Sequence, residues 1–243
     1  MKNKSYSTTG RRIELKDVFT TNDLPSIEKS IKLSNFSFYK PYPSRRVNSI
    51  YFDDLLHTSL EESIEGNSIR TKKRLRWYGD LLKKSNAVLE FKKKLGTYSW
   101  KELYTNIYCI NPIANEWSNF ILPQNNDNTL PLKKLSDIPV SIVTYNREYY
   151  NSFDDKVRIT IDRNMKTYKQ TNLHRPNITF HQNHQQTIVL EVKVSSENSS
   201  LIRVACKDIP FNPQRFSKYC ESLITRKSLW FEDSIKASSK SFY

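Results

Sequence analysis

The chain has 243 residues, of which 37% are hydrophobic and 12% aromatic, enough for a sizeable core and unlike a disordered polymer. Its formal net charge of +14 points to a polyanionic partner: nucleic acid, an anionic membrane or a phosphate-rich small molecule. The four glycines (Gly10, Gly66, Gly79 and Gly96) are scattered, which excludes the phosphate loop GxxxxGK(S/T) and the GxGxxG fingerprint, so any phosphate must be met by side chains.

The N-terminal MKNKSYSTTGRR has no apolar stretch, and no run approaches the length of a membrane span. Cys109, Cys206 and Cys220 follow no paired or metal-like spacing, as expected in a reducing compartment, and a cytoplasmic location is expected. Residues 1–10 and 231–243 are polar and expected to be flexible, leaving one domain over 11–230.

In chain order, RRIELK opens as a strand, and TTNDLPSIEKSIKL predicts a short helix from its cap residues, Pro25, Ile27 and Ile31. VNSIYFDD reads as a strand whose Tyr51, Phe52 and Asp53 pack and cap. LLHTSLEESIEG follows as a helix closed by Gly66. Three strands then turn near Gly79 and Gly96: NSIRTKKRLRWYG, NAVLEFKKK and YSWKELYTNIYCI. Residues 111–139 form an Asn/Pro/Asp-rich connection with a short helix at ANEWSNFIL. SIVTYNREYY, KVRITID and QTIVLEVKV are strands, with a polar excursion between the last two that holds an HxxH spacing (His181, His184) read as solvated. NPQRFSKYCESLI predicts a helix capped by Asn212 with Pro213 at its first position and a stripe of Phe216, Tyr219, Cys220 and Leu223.

Alternate residues of a strand share a face. On that parity Arg70, Lys72, Arg74 and Arg76 lie together, as do Arg12, Glu14 and Lys16; Glu90, Lys92 and Lys94; Arg158, Thr160 and Asp162; and Glu191 with Lys193. Arg147 falls in phase with Val143, Tyr145 and Tyr149, a mixed face. One such strand is ordinarily apolar inside and charged outside. The repetition instead suggests a closed barrel with a charged interior, its apolar exterior covered by helices. Buried charges need partners, and acids interleaved with bases suit a hard divalent cation bridging carboxylate and phosphate oxygens, Mg²⁺ or Mn²⁺ rather than zinc. The same acids disfavour nucleic acid, whose phosphates they repel.

RRIELK, RVNSIYFDD, RTKKRLRWYG, VLEFKKK, TYNREYY, VRITID, VLEVKV and RFSKYC, in that order, resemble the polyphosphate-polymerase domain of the vacuolar transporter chaperone family, a branch of the triphosphate tunnel metalloenzymes. The resemblance implies an α+β fold, a closed antiparallel eight-stranded β-tunnel with a charged lumen. It implies transfer of the terminal phosphate of ATP onto a growing polyphosphate chain with Mn²⁺ or Mg²⁺. Under it, Lys16, Arg74, Arg76, Lys92, Lys101, Arg147 and Arg158 match phosphate-contacting positions, Glu191 the metal-binding glutamate and Lys218 a lysine needed for activity. Arg70, Lys72 and Lys193 extend the phosphate-binding faces, and Glu14, Glu90 and Asp162 are further acids for the metal. Arg12 stands where most tunnel enzymes carry the first glutamate of ExExK, which leans toward the polymerase branch.

ATP and polyphosphate are thus the expected partners, without nucleic acid; the resemblance also allows a membrane-protein partner. The sequence assigns no oligomeric state. A triphosphatase on the same tunnel and a non-catalytic polyphosphate- or nucleotide-binding module remain as alternatives.

Overall fold

The computed structural model describes residues 6–124, 137–171 and 173–224. Eleven strands form one sheet: β1 (Tyr6–Thr8), β2 (Arg12–Thr20), β3 (Arg45–Asp53), β4 (Ile69–Tyr78), β5 (Ser85–Leu95), β6 (Tyr98–Ile110), β7 (Ile121–Pro123), β8 (Ile138–Asn151), β9 (Val157–Lys169), β10 (Gln182–His184) and β11 (Thr187–Ser195). The path β6-β2-β11-β9-β8-β3-β4-β5 returns to β6, so eight antiparallel strands close on themselves. The tunnel expected from the sequence is present. Its closure is uneven: β2 meets β6 only at Arg12↔Ser99 and Ile13↔Tyr98, leaving most of that seam unpaired.

The strand parities hold because the outer faces bury apolar residues. Ile50, Phe52, Leu75, Trp77 and Leu89 form one outer cluster, covered by Phe120, Leu81 and the connection around Trp117. Ile159, Ile161, Leu190 and Val192 form another, covered by α1 (Leu24–Leu33) through Ile27 and Ile31 and by α4 (Leu201–Lys207) through Ile202 and Ala205. Each covering helix presents i, i+4 or i, i+3 apolar pairs to the sheet. Among the described residues no helix is long and apolar enough to cross a membrane.

A third cluster lies on the inner face: Val47, Tyr51, Val143, Tyr145, Met165 and Tyr219. It accounts for the mixed face of β8, whose apolar members plug part of the tunnel while Arg147 serves the lumen. The plug is completed by α5 (Lys218–Leu223) and by α2 (Thr58–Glu65), so these two helices close the tunnel rather than cover its outside. Asp53 ties them together, accepting from the amides of Ser59 and Leu60 at the start of α2 and from the Tyr219 hydroxyl, while Tyr219 stacks on Tyr51 at 5.2 Å.

Several local expectations change. The final helix starts at Lys218, capped by the Ser217 hydroxyl, and Asn212 is not its cap. Instead residues 211–217 form no helix and lie along the free edge of β2: Asn212 N and Gln214 Nε2 donate to Asp17 (2.6 Å each), and Gln214 N donates to the Lys16 carbonyl (2.8 Å). A carboxylate and an unpaired strand edge capture the segment more strongly than Pro213 favours a helix. Tyr6–Thr8, in the polar N-terminal stretch, pair with Tyr104–Glu102. β9 continues through Lys169 into what reads as a polar excursion, and His184 is buried beside Thr167 (3.1 Å) rather than solvated. Residues 231–243 lie outside the described residues.

Candidate active site

Side chains from all eight barrel strands, with Ser217 and Lys218, line a lumen of about 180 Å³. Eleven are cationic: Arg12, Lys16, Lys72, Arg74, Arg76, Lys92, Lys101, Arg147, Arg158, Lys193 and Lys218. Glu14 and Glu191 line it too, while Glu90 and Asp162 sit in the wall beneath the guanidiniums. Four acids against eleven bases leave a formal excess of seven positive charges.

The register places these charges. Arg74 lies opposite Glu90 in the β4–β5 ladder, and its Nε and Nη2 donate to Glu90 at 2.8 and 2.5 Å. Lys101 reaches the same carboxylate at 3.0 Å and Arg76 at 3.7 Å. Asp162, opposite Arg147, accepts two bonds from it at 2.5 and 2.6 Å and faces Lys218 at 2.5 Å. Glu191 is surrounded by Lys193, Lys16 (3.3 Å), Arg147 (3.5 Å) and Lys218 (3.6 Å). Glu14 bridges Arg12 (2.7 Å) and Lys92 (2.5 Å). Arg158 sits exposed at the rim and donates to Asn151 at 3.2 Å. Arg70 lies farther along β4, in the mouth beyond the lumen.

Burial alone would raise the carboxyls, yet the surrounding bases hold Glu14, Glu90 and Glu191 well below the usual range, and Asp162 below it. The lysines divide. Burial takes Lys72 and Lys193 down to about 7 and Lys92 to about 8. At Lys218 burial opposes the charge, but Asp162 and Glu191 outweigh it and raise the ammonium.

Across β4, β5 and β6, Lys72, Lys92 and Lys101 stand directly opposite one another. Like charges in register destabilise a sheet unless an anion lies between them. With no Cys or His in the lining, this arrangement can do one thing well: align and neutralise a chain of phosphates.

The donor chemistry fits a hard dication. Among the described residues no three His, Cys, Asp or Glu side chains converge. Glu14 and Glu191 alone present carboxylates to the lumen, so a bound Mg²⁺ or Mn²⁺ would complete its shell with phosphate oxygens and water, as Mg²⁺ commonly does. Glu90 and Asp162 are engaged by guanidiniums throughout.

Every residue assigned from the sequence lies in the lumen, its wall or its mouth. Arg12, Tyr51, Tyr78, Tyr145, Tyr149, Thr160 and Ser217 also line it, with no site role expected from the sequence. Parity with Glu14 marks Arg12; Ser217 gave no signal because its segment reads as helix.

No curated protein matches the chain. Solved structures of similar shape include the PH1819 protein of Pyrococcus horikoshii OT3, 14% identical, TM-score 0.43, covering 85% of this chain and 94% of that one. An adenylate cyclase-like protein of Vibrio parahaemolyticus is 9% identical, TM-score 0.47, covering 87% and 97%. The adenylyl cyclase-like HpAC1 of Hippeastrum, described as having a dominant triphosphatase activity, is 10% identical, TM-score 0.45, covering 88% and 95%. The VTC domain model matches residues 11–226, which span all eight barrel strands and the helix that carries Lys218. By that match over most of its length, the chain belongs to the VTC domain family.

Proposed function

We propose that the chain is a phosphoryl-transfer enzyme, and within that class a polyphosphate polymerase that moves the terminal phosphate of ATP onto a polyphosphate chain. The observation that carries this reading is the in-register row Lys72–Lys92–Lys101, facing a lumen with a formal excess of seven positive charges.

In the step proposed, a terminal phosphate oxygen of the acceptor attacks the γ-phosphorus. The bond from that phosphorus to the β,γ-bridging oxygen breaks, and ADP leaves with the bridging oxygen. Little covalent work falls to the protein; position and charge stabilisation do most of it. Arg74, Arg76, Arg147 and Arg158 offer forked contacts, while Lys16, Lys72, Lys92, Lys101, Lys193 and Lys218 add point charges. Glu90 and Asp162 orient Arg74 and Arg147 through their paired bonds. A hard dication held by Glu191 and Glu14 would neutralise charge on the transferring group.

An acceptor phosphate is already anionic and needs no base, whereas water would need one. The lumen carboxylates are paired and strongly acidic, and the groups there that titrate near neutrality are Lys72, Lys193 and Lys92.

Incubation with ATP and Mn²⁺, followed by sizing of the products, tests the reading. Long phosphate chains with ADP are expected. Orthophosphate with ADP would favour the triphosphatase, and no turnover the binding module.

A further inference from the structure

Beyond the lumen the tunnel widens into a mouth of about 600 Å³, continuous with it through Glu14, Lys16, Lys72, Lys92 and Ser217. The mouth lies at the unpaired β2–β6 seam, and the segment before α5 forms one of its walls. Its chemistry repeats that of the lumen one step along the strands. Arg70 and Lys94 stand directly opposite each other, and Ser99 is next in register, between Lys94 and Arg12. Among the described residues neither Arg70 nor Lys94 makes an ion pair with a carboxylate, and Arg215 on the facing wall makes none. Ser99 is 5% exposed, and its hydroxyl has no hydrogen-bond partner among the described residues.

Arg215 is held in place by close packing. Its guanidinium lies over Gly66, where a Cβ would come within 2.6 Å of it. Gly66 ends α2 with φ +81°, so the arginine rests at the negative end of that helix.

We infer that Arg70, Lys94, Ser99 and Arg215 form a second anion subsite, which holds phosphates of a chain that extends past the lumen. A triphosphate seated at Arg74 and Arg76, deep in the lumen, lies four to six residues along β4 from Arg70, about 13–20 Å, farther than it reaches. The mouth therefore distinguishes long chains from short ones, whereas the lumen binds both. This inference rests on the polyphosphate reading above.

The test compares tripolyphosphate with long-chain polyphosphate by titration calorimetry, without metal. The wild type is measured beside Lys94→Ala/Arg215→Ala, Ser99→Ala, and a control of equal charge loss on the outer helix α1, Lys29→Ala/Lys32→Ala. The mouth double variant should lose tenfold or more in long-chain affinity and less than twofold in tripolyphosphate affinity. Ser99→Ala should lose severalfold for the long chain alone, and the α1 control should leave both unchanged. Equal losses for both ligands, or the same long-chain loss in the α1 control, would mean diffuse attraction and overturn the subsite. No long-chain loss in either mouth variant would overturn it while leaving the lumen reading intact. A wild type that binds neither ligand would overturn both.

Discussion

Lys218 opens α5 with its ammonium 2.5 Å from Asp162 and 3.6 Å from Glu191, 6% exposed and facing the lumen. A lone lysine so deep would shed its proton; the two acids keep it charged. Lys218→Met should reduce ATP-dependent turnover about a hundredfold, and Lys218→Arg should recover part of it. Circular dichroism would check folding, because removing one partner of a buried pair is costly. Wild-type turnover in a folded Lys218→Met variant would remove the residue from the machinery.

Arg76 and Lys73 lie three residues apart on β4 and on opposite faces. Arg76 is 5% exposed in the lumen, bonded to Ser49 and Tyr145, whereas Lys73 pairs with Asp137 outside. Each charge-assisted bond to phosphate contributes about 1.5–3 kcal/mol. Arg76→Ala should therefore weaken tripolyphosphate binding tenfold or more, with little change for Lys73→Ala. Thermal-shift titrations would read the difference, and equal losses would contradict a tunnel-specific site.

Lys72 gives the ligand-free protein a distinctive pH dependence. Its ammonium bonds Ser217 at 2.7 Å and meets no carboxylate among the described residues, and burial lowers it from 10.5 to about 7. Between those values the unfolded chain binds the extra proton, so stability rises with pH; below about 7 the full penalty of a buried charge applies. Melting temperature should increase by a few degrees from pH 7 toward pH 10, and less so in Lys72→Met. Bound polyphosphate restores the charge, so calorimetry near pH 8 in buffers of different ionisation enthalpy should show proton uptake that Lys72→Met reduces.

Glu191 faces four cations and the lumen at once. Glu191→Gln should abolish the stimulation of turnover by Mn²⁺. It should also tighten metal-free tripolyphosphate binding severalfold, since one neutralising charge is removed from a basic cavity. Full Mn²⁺ stimulation in the variant would refute the metal assignment.

How much was legible follows from range. The alternation of Arg70, Lys72, Arg74 and Arg76, repeated in four other strands, carries the closed barrel and its charged interior, because strand parity is local and each outer face needs apolar cover. Gly66 likewise marks the end of α2 from one residue's conformational freedom. The Lys218 segment was not legible. Asn212 and Pro213 favour a helix locally, but Asp17, almost two hundred residues away, captures Asn212 and Gln214 and leaves Lys218 to open the helix.

The chain by itself determined which side chains face inward, and hence an excess of positive charge that only a polyanion relieves. Tertiary structure decided how those charges pair. The β4–β5 register sets Arg74 against Glu90 and leaves Lys72, Lys92 and Lys101 facing one another, and the short β2–β6 contact opens the mouth at Arg70, Lys94 and Ser99. Parity within a strand depends on that strand alone, whereas partnership across strands depends on register, which is fixed only when the barrel closes.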